Sequence, residues 1–354
     1  MLIARMTRSL PKHCAFCICL RDPNLVNEEP GCGAIPRESR RMARRILITG
    51  ASGFLGGWLV ATASHRFEVH AVHRRSHFAE APGVWHQCDL TDRSRVHELV
   101  REIRPDVVVH AAAEANLDWC EAHREQAYAA NVVATRILAQ SSAAVAARLI
   151  YVSSDMVFDG VKGNYAEDDP VNPISYYGHT KVEAERAVVE CARNYVIVRM
   201  ALMFGDPMYG GSSFSVWLEQ EMRRGCRVRL FTDQFRTPIW VGTAAAAILE
   251  LADSPFVGIL HLGGTERIDR FSFGRILAGE LGLDDRLLEP AQLGSVPLLA
   301  PRPQDLSLRV DRARSVLRTP LQDLRAGLKE LVRWRTGRER ARGSLENGVA
   351  HARP

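Results

Sequence analysis

The stretch that most constrains this chain runs from Arg44 to Val60, RRILITGASGFLGGWLV. A short β-branched run from Arg45 to Thr49 meets Gly50-Ala51-Ser52-Gly53-Phe54-Leu55-Gly56, and Phe54 to Ala63 continues as an apolar helix. Strand, glycine turn and helix therefore follow in that order. Glycines let a backbone turn sharply and approach a ligand with no Cβ in the way, and the first turn of the helix offers unpaired N–H groups and the positive end of a dipole. The pattern predicts a pyrophosphate-binding turn made by Gly50, Ser52, Gly53, Phe54, Leu55 and Gly56. Its spacing, GxxGxxG, departs from the commoner GxGxxG, and a plain connection between strand and helix can look the same.

The next segments weigh against a plain connection. Phe67 to His73 reads as a second strand ending in Arg74-Arg75, about where an acidic residue would hold the ribose 2′-hydroxyl of NAD(H). His73, Arg74 and Arg75 suit a 2′-phosphate instead, so NADP(H) is expected ahead of NAD(H), with a solvated loop as the bland alternative. Val84 to Gln87 is a third candidate strand. Asp89 and Leu90 after it fall on the nucleotide side, where a carboxylate can accept from an adenine amino group, although Asp89, Thr91 and Asp92 each also suit the cap of the helix Arg93 to Ile103. Pro105 to His110 is strongly β-branched, and Ala111-Ala112-Ala113 are small enough to let a cofactor lie against the backbone. Tyr128 to Ala147 reads as one long Ala-rich helix whose Asn131, polar in an apolar setting, joins the cofactor candidates. Leu149 to Val152 is the next strand. This alternation predicts an α/β fold, a doubly wound parallel sheet of the Rossmann type, with ligands at the carboxyl ends of its strands.

Ser153-Ser154 closes the strand Leu149 to Val152 at that edge, and 23 residues past Ser154 comes Tyr177-Gly178-His179-Thr180-Lys181, opening a helix to about Cys191. Four positions apart, Tyr177 and Lys181 share one helix face. A phenol with a pKa near 10 is a poor proton donor at neutral pH, and a nearby cation is expected to lower it. A serine hydroxyl beside a carbonyl would orient it and stabilise a developing alkoxide. Ser154, Tyr177 and Lys181 are therefore the candidate catalytic residues, and Lys181 with Tyr177 also suits contact with a nicotinamide ribose. Tyr176 has no lysine four residues on and is read as packing or substrate contact.

The chain's 354 residues are 46% apolar and 25% charged, within the range of globular proteins. The formal charge of +5 comes largely from arginine clusters at Arg37 to Arg45 and Arg333 to Arg342, which read as solvated rather than as a nucleic-acid surface. No apolar run reaches the roughly 18 residues of a membrane helix, and Pro11, Lys12 and His13 interrupt the only early apolar patch, so no secretory signal and a cytoplasmic location are expected. Cys14, Cys17, Cys19 and Cys32 lie within the first 32 residues with His13 beside them, but lack the second ligand pair a closed zinc site wants, so no metal is expected. Residues 1–41 are expected to be a leader without fixed structure, with Met42 a natural start.

Four blocks together resemble the extended short-chain dehydrogenase/reductase superfamily, and within it the dTDP-4-dehydrorhamnose reductase family of sugar-nucleotide reductases. They are ILITGASGFLG at Ile46 to Gly56, RPDVVVHAAA at Arg104 to Ala113, YVSSDMVFDGVKGNYAEDDPVNPISYYGHTKVEAE at Tyr151 to Glu185, and VRMALMFG at Val198 to Gly205. The third is the most specific, and the resemblance extends from Arg44 to about Leu317. It implies hydride transfer from a nicotinamide to the 4-keto carbon of a nucleotide-linked deoxysugar, with Tyr177 supplying the proton and Ser154 and Lys181 completing the site. A non-catalytic NADP-binding subunit, resembling the regulatory subunit of methionine adenosyltransferase, and an epimerase or dehydratase with held NAD are the alternatives. Met156 stands where family members often carry tyrosine, which bears on the substrate contact there.

The resemblance also implies a smaller C-terminal α/β substrate lobe. Residues 42–203 plus 236–262 are assigned to the nucleotide domain, 204–235 plus 263–330 to the lobe, and 335–354 to a basic tail without fixed structure. Phe214 to Arg224 is expected to be helical, Arg227 to Phe231 extended, and His261-Leu262-Gly263-Gly264 a strand end in the lid region. Arg236 and Arg302 are candidate diphosphate contacts, because guanidinium forks match phosphate oxygens, with surface ion pairs as the bland alternative. The expected partner is a nucleotide sugar, with no nucleic acid and no membrane; a homodimer is compatible with the sequence.

Overall fold

Short apolar runs without polar alternation can be buried only in a sheet covered on both faces. Runs of this kind make β1 (Arg45–Thr49), β4 (Val107–His110), β5 (Arg148–Ser154) and β6 (Tyr195–Met200), whereas β2 (Glu68–His73) carries alternating polar residues and β3 (Val84–Gln87) is a half-polar edge strand. Then come β7 (Met203–Phe204), β8 (Val228–Phe231), β9 (Phe235–Arg236), β10 (Ile239–Trp240), β11 (Gly258–Leu262), β12 (Ile268–Asp269) and β13 (Leu288–Ala291). Seven of them form one sheet in the order β11-β6-β5-β4-β1-β2-β3, with every neighbouring pair parallel. The progression reverses between β1 and β4, and such a reversal opens a crevice at the strands' carboxyl ends. The doubly wound sheet expected from the sequence is thus the fold. This computed structural model describes residues 43–75 and 78–350, the last ten by backbone only. The early cysteine cluster and the expected start at Met42 lie outside the described residues.

The helices are α1 (Phe54–Ala63), α2 (Arg93–Ile103), α3 (Leu117–Ala122), α4 (Arg124–Tyr128), α5 (Ala134–Ala144), α6 (Tyr176–Cys191), α7 (Phe214–Arg223), α8 (Val241–Leu251), α9 (Arg270–Leu281), α10 (Asp311–Val316) and α11 (Leu324–Ala350). Along the sheet, side chains alternate between two cores. Ile46, Ile48, Val107 and Val109 pack with Leu59 of α1 and Ile248 of α8, whereas Leu47, Val108 and Leu149 pack with Leu99 of α2 and Leu138 of α5. Each such aliphatic side chain contributes about 1.5–3 kcal/mol on leaving water.

Three local expectations are corrected. The single helix expected from Tyr128 to Ala147 is interrupted by a π-helical turn at Ala129–Val133 between α4 and α5. Its cause is Asn131 in the middle of that turn. The Asn131 side chain accepts from Glu114 N at 2.8 Å and donates to Glu114 O at 3.0 Å and Thr180 Oγ1 at 2.9 Å, bonds that hold it inward against the regular helical pitch. His261 and Leu262 end β11, an edge strand of the main sheet paired with β6, not a lid segment. Finally, the chain past Trp334 does not lose structure at residue 335: α11 runs on to Ala350. Leu324, Leu328 and Leu331 give it a buried stripe, Arg335 docks on Asp206 and Glu219, and Arg, Glu and Ala favour helix beyond that point.

A third core gathers Leu218 of α7, Leu230 of β8, Phe273 and Leu277 of α9, Leu288 of β13 and the α11 leucines. Beside it, β8 and β13 pair in parallel and β9 and β12 antiparallel. The expected α7 helix and β8 strand are both present, and the described residues from Ala43 onward form one compact unit. Among the described residues no helix is long and apolar enough to cross a membrane.

Candidate functional site

At the carboxyl end of β1, Gly50 takes φ +70°, and a Cβ there would lie 2.7 Å from Ala112 N. A Cβ on Gly56 would lie 2.0 Å from Gly50 O, so α1 can rest on the turn only without a side chain at that position. Gly53 caps α1 with no side-chain hydrogen bond, and its first turn holds no acidic residue. The N–H groups of that turn are thus left for a ligand. The turn borders a groove of about 250 Å³ that Gly50, Ser52 and Gly53 share with Ala111, Ala112 and Ala113. His73, Arg74, Asp89 and Leu90 line its far end. Arg75 is exposed and lies outside this lining. Asp89 accepts from Thr91 N at 2.9 Å and Thr91 Oγ1 at 2.7 Å, bonds that hold its carboxyl below the usual range, while the cap of α2 is Asp92. An uncapped helix start, a turn that admits no Cβ and a floor of alanines fit a dinucleotide. Asn131 stands behind this floor, its amide bonded to Glu114 and Thr180, so it braces the wall instead of facing the groove.

The groove continues into a cleft of about 510 Å³ through the shared residues Gly53, Ala111 and Ala113, with Phe54 and Leu55 on the same rim. Ser154, Tyr177 and Lys181 meet on its wall. Ser175 caps α6 by accepting from Gly178 N at 3.2 Å, which starts the helix one residue before Tyr177. One turn past Lys181, the buried Glu185 accepts from Ser153 Oγ at 2.6 Å and pairs with Arg199 Nη2 at 2.9 Å, tying α6 to β5 and β6. The Ser154 hydroxyl donates to Asp155 Oδ1 at 3.0 Å and accepts from Met156 N at 3.2 Å.

The electrostatics differ from the expected lowering of Tyr177 by its lysine. Burial pushes the Tyr177 phenol up, with the Ser154 hydroxyl pulling the other way and Asp155 adding to the rise. Lys181 Nζ donates to Val152 O at 2.8 Å and lies 4.2 Å from the centre of the Tyr151 ring. Burial brings its pKa down to about 7, with Glu185 opposing. Lys181 is itself desolvated and turned to a carbonyl, and burial dominates the Tyr177 phenol.

Across the cleft stand charged side chains from distant segments. Arg236, 4% exposed, places Nε 3.5 Å from Asp155 Oδ2. Arg302 pairs with Asp118 at 2.9 Å, and the same carboxylate accepts from Ala300 N at 2.9 Å. Both candidate diphosphate contacts therefore line the cleft. Sequence reasoning missed Arg270, Gln234 and Asp155. Arg270 Nε donates to Gln234 Oε1 at 3.0 Å, its Nη1 has no partner among protein atoms, and burial beside Arg236 brings its pKa down to about 9. Nothing in sequence marks one arginine on a helix start, but an aspartate wedged between Ser154 and Met156-Val157-Phe158 was a readable signal.

The profile of the RmlD substrate binding domain matches residues 44–336. The chain is 32% identical to methionine adenosyltransferase 2 subunit beta of Bos taurus over 324 residues, covering 86% of this chain and 95% of that one. It is also 32% identical to a dTDP-4-dehydrorhamnose reductase of Mycolicibacterium smegmatis, covering 87% and 94%. The crystal structure of dTDP-4-dehydrorhamnose reductase from Bacillus anthracis in complex with NADP superposes with a TM-score of 0.74 at 25% identity, over 82% of this chain and 99% of that one. The relatives thus divide between sugar-nucleotide reductases and a methionine adenosyltransferase subunit, and the chain belongs to the RmlD substrate binding domain family of extended short-chain dehydrogenases/reductases.

Proposed function

We propose that the protein is an NADP(H)-dependent reductase of a nucleotide-linked 4-keto-6-deoxysugar. The observation that carries this reading is the meeting of Ser154, Tyr177 and Lys181 on one wall of a cleft continuous with the glycine-turn groove. NADPH bound along Gly50, Ser52, Gly53 and Ala111 to Ala113 would supply the hydride. Ser154 turns its hydroxyl from Asp155 to the substrate carbonyl and steadies the negative charge that grows there. Tyr177 hands its proton to that oxygen; its raised pKa suits a group that must hold a proton until an alkoxide forms. Lys181 restores the proton from the cleft wall. Arg236, Arg270 and Arg302 receive the diphosphate. Loss of NADPH absorbance with dTDP- or GDP-linked 4-keto-6-deoxyglucose is the expected signal. Tyr177→Phe should cut the rate on the order of 10²–10⁴-fold with NADPH binding kept, and a wild-type rate in that variant would remove Tyr177 from the chemistry.

The identity to methionine adenosyltransferase 2 subunit beta supports a second reading, a non-catalytic NADP-binding subunit. Under it NADPH binds but no nucleotide sugar consumes it, and the chain co-purifies with a catalytic partner. An NAD-holding epimerase or dehydratase fits less well with Arg74 at the ribose end.

A further inference from the structure

The connection from β2 to β3, residues 74–83, carries Arg74 to the ribose end of the groove, and both its ends are pinned within the sheet. Arg74 O accepts from Gln87 Nε2 at 3.2 Å, and Gly83 takes φ +94° where a Cβ would lie 2.7 Å from Val69 O. The middle is pinned from elsewhere. Phe78 stacks on Tyr209 with ring centres 5.9 Å apart and planes 23° off parallel, and meets Trp85 edge-on at 6.4 Å. Tyr209 belongs to a strap, Asp206 to Ser213, that runs from β7 to α7. A Cβ on Gly210 would lie 2.5 Å from Phe78 Cζ and 2.9 Å from Ser52 O, so the strap touches the connection and the glycine turn at once. At its neck Ser213 Oγ donates to Gly205 O at 2.7 Å. Asp206 holds the other end, its carbonyl accepting from Trp58 Nε1 at 2.8 Å and its carboxylate pairing with Arg335 at 2.6 Å.

We propose that Tyr209 is a positioning residue for the ribose 2′-phosphate of NADP(H): by holding Phe78 it sets the course of the 74–83 connection and so the reach of Arg74. The inference rests on the reading of Arg74 as the 2′-phosphate contact. A surface connection left to itself samples many backbone states, and a ligand that needs one of them must first supply the ordering free energy. A ring stack that fixes the middle of the connection removes that cost before the cofactor arrives. The competing role is plain support of the glycine turn through Gly210, and the two roles separate by cofactor. Support of the turn serves the pyrophosphate, which NADPH and NADH share, whereas placement of Arg74 serves a phosphate that only NADPH carries.

The experiment is fluorescence titration of the full-length protein with NADPH and with NADH, in the wild type, Tyr209→Phe, Tyr209→Ala, Arg74→Ala and the double variant of the last two. Tyr209→Ala should narrow the preference for NADPH by about threefold or more, the scale of one aromatic pair, with NADH binding kept, and Tyr209→Phe should preserve the preference. On the Arg74→Ala background Tyr209→Ala should narrow it no further, since residues acting through one contact are not additive. If the wild type shows no preference for NADPH, or Arg74→Ala leaves that preference unchanged, the reading of Arg74 fails and takes this inference with it. If Arg74→Ala narrows the preference but Tyr209→Ala leaves it intact, weakens both cofactors alike, or adds to Arg74→Ala in the double variant, the inference alone is overturned. Phe78→Ala loosens the same stack from the other side, and it carries the same test if Tyr209→Ala fails to fold.

Discussion

The groove along the glycine turn and the cleft beside Tyr177 share Gly53, Ala111 and Ala113, yet they are built in opposite ways. In the groove, recognition comes from backbone: two glycines with no room for a Cβ, an uncapped helix start and three alanines. In the cleft it comes from buried charge, with Lys181, Asp155 and Arg236 each at 5% exposure or less. A site made of backbone tolerates no added atoms, whereas a site made of charge is sensitive to protonation. The contrast implies different failures for the two halves.

The largest effect expected is steric. Gly56→Val drives a side chain into Gly50 O and should cost on the order of 3 kcal/mol or more of folding stability, read by denaturant unfolding, with NADPH binding lost. A stable, NADPH-binding variant would break the account of the groove. The next effect is on titration. Lys181 is held near pH 7 in the folded chain against an ordinary 10.5, so between those values the unfolded chain binds the additional proton. Stability should therefore rise with pH across that window, by at most about 1.4 kcal/mol per unit, with the whole penalty present below about pH 7. Lys181→Met should abolish that rise and exceed the wild type in stability at neutral pH. Parallel stability profiles for the two proteins would show that Lys181 is not desolvated. The smallest effect lies at the groove's exposed end. Arg74→Ala should narrow the preference for NADPH over NADH by about tenfold, measured by fluorescence titration, and an unchanged ratio would move the 2′-phosphate contact elsewhere.

The same contrast explains what could be read beforehand. Gly50 to Gly56 is one contiguous segment, and Tyr177 and Lys181 are one helical turn apart, so local spacing carried their geometry. Five strands of the central sheet, β1 to β5, were legible for the same reason, each read from its own short segment, whereas β11 was expected in the lid region and β6 was not singled out. Arg270 was not, because Gln234, Asp155 and Arg236 reach it from three other segments and only the folded chain juxtaposes them. The state of Tyr177 was misjudged from spacing alone: four residues bring a lysine onto the right face, but burial and the Val152 carbonyl decide what that lysine does. The tail past Trp334 was misjudged because composition showed its arginines and not the Asp206–Glu219 pair that receives Arg335.

The π-helical turn at Ala129–Val133 has a consequence for how the chain can vary in length. Such a turn accommodates one residue more than regular pitch needs, so a single-residue deletion there would let α4 and α5 join as one regular helix while removing the bulge that carries Asn131. Asn131 would swing away from Glu114 and Thr180, and the alanine floor would lose its brace. Insertions and deletions should be absorbed in the surface connections of this protein, whereas this stretch behaves as a fixed-length spacer between the two halves of its ligand-binding crevice.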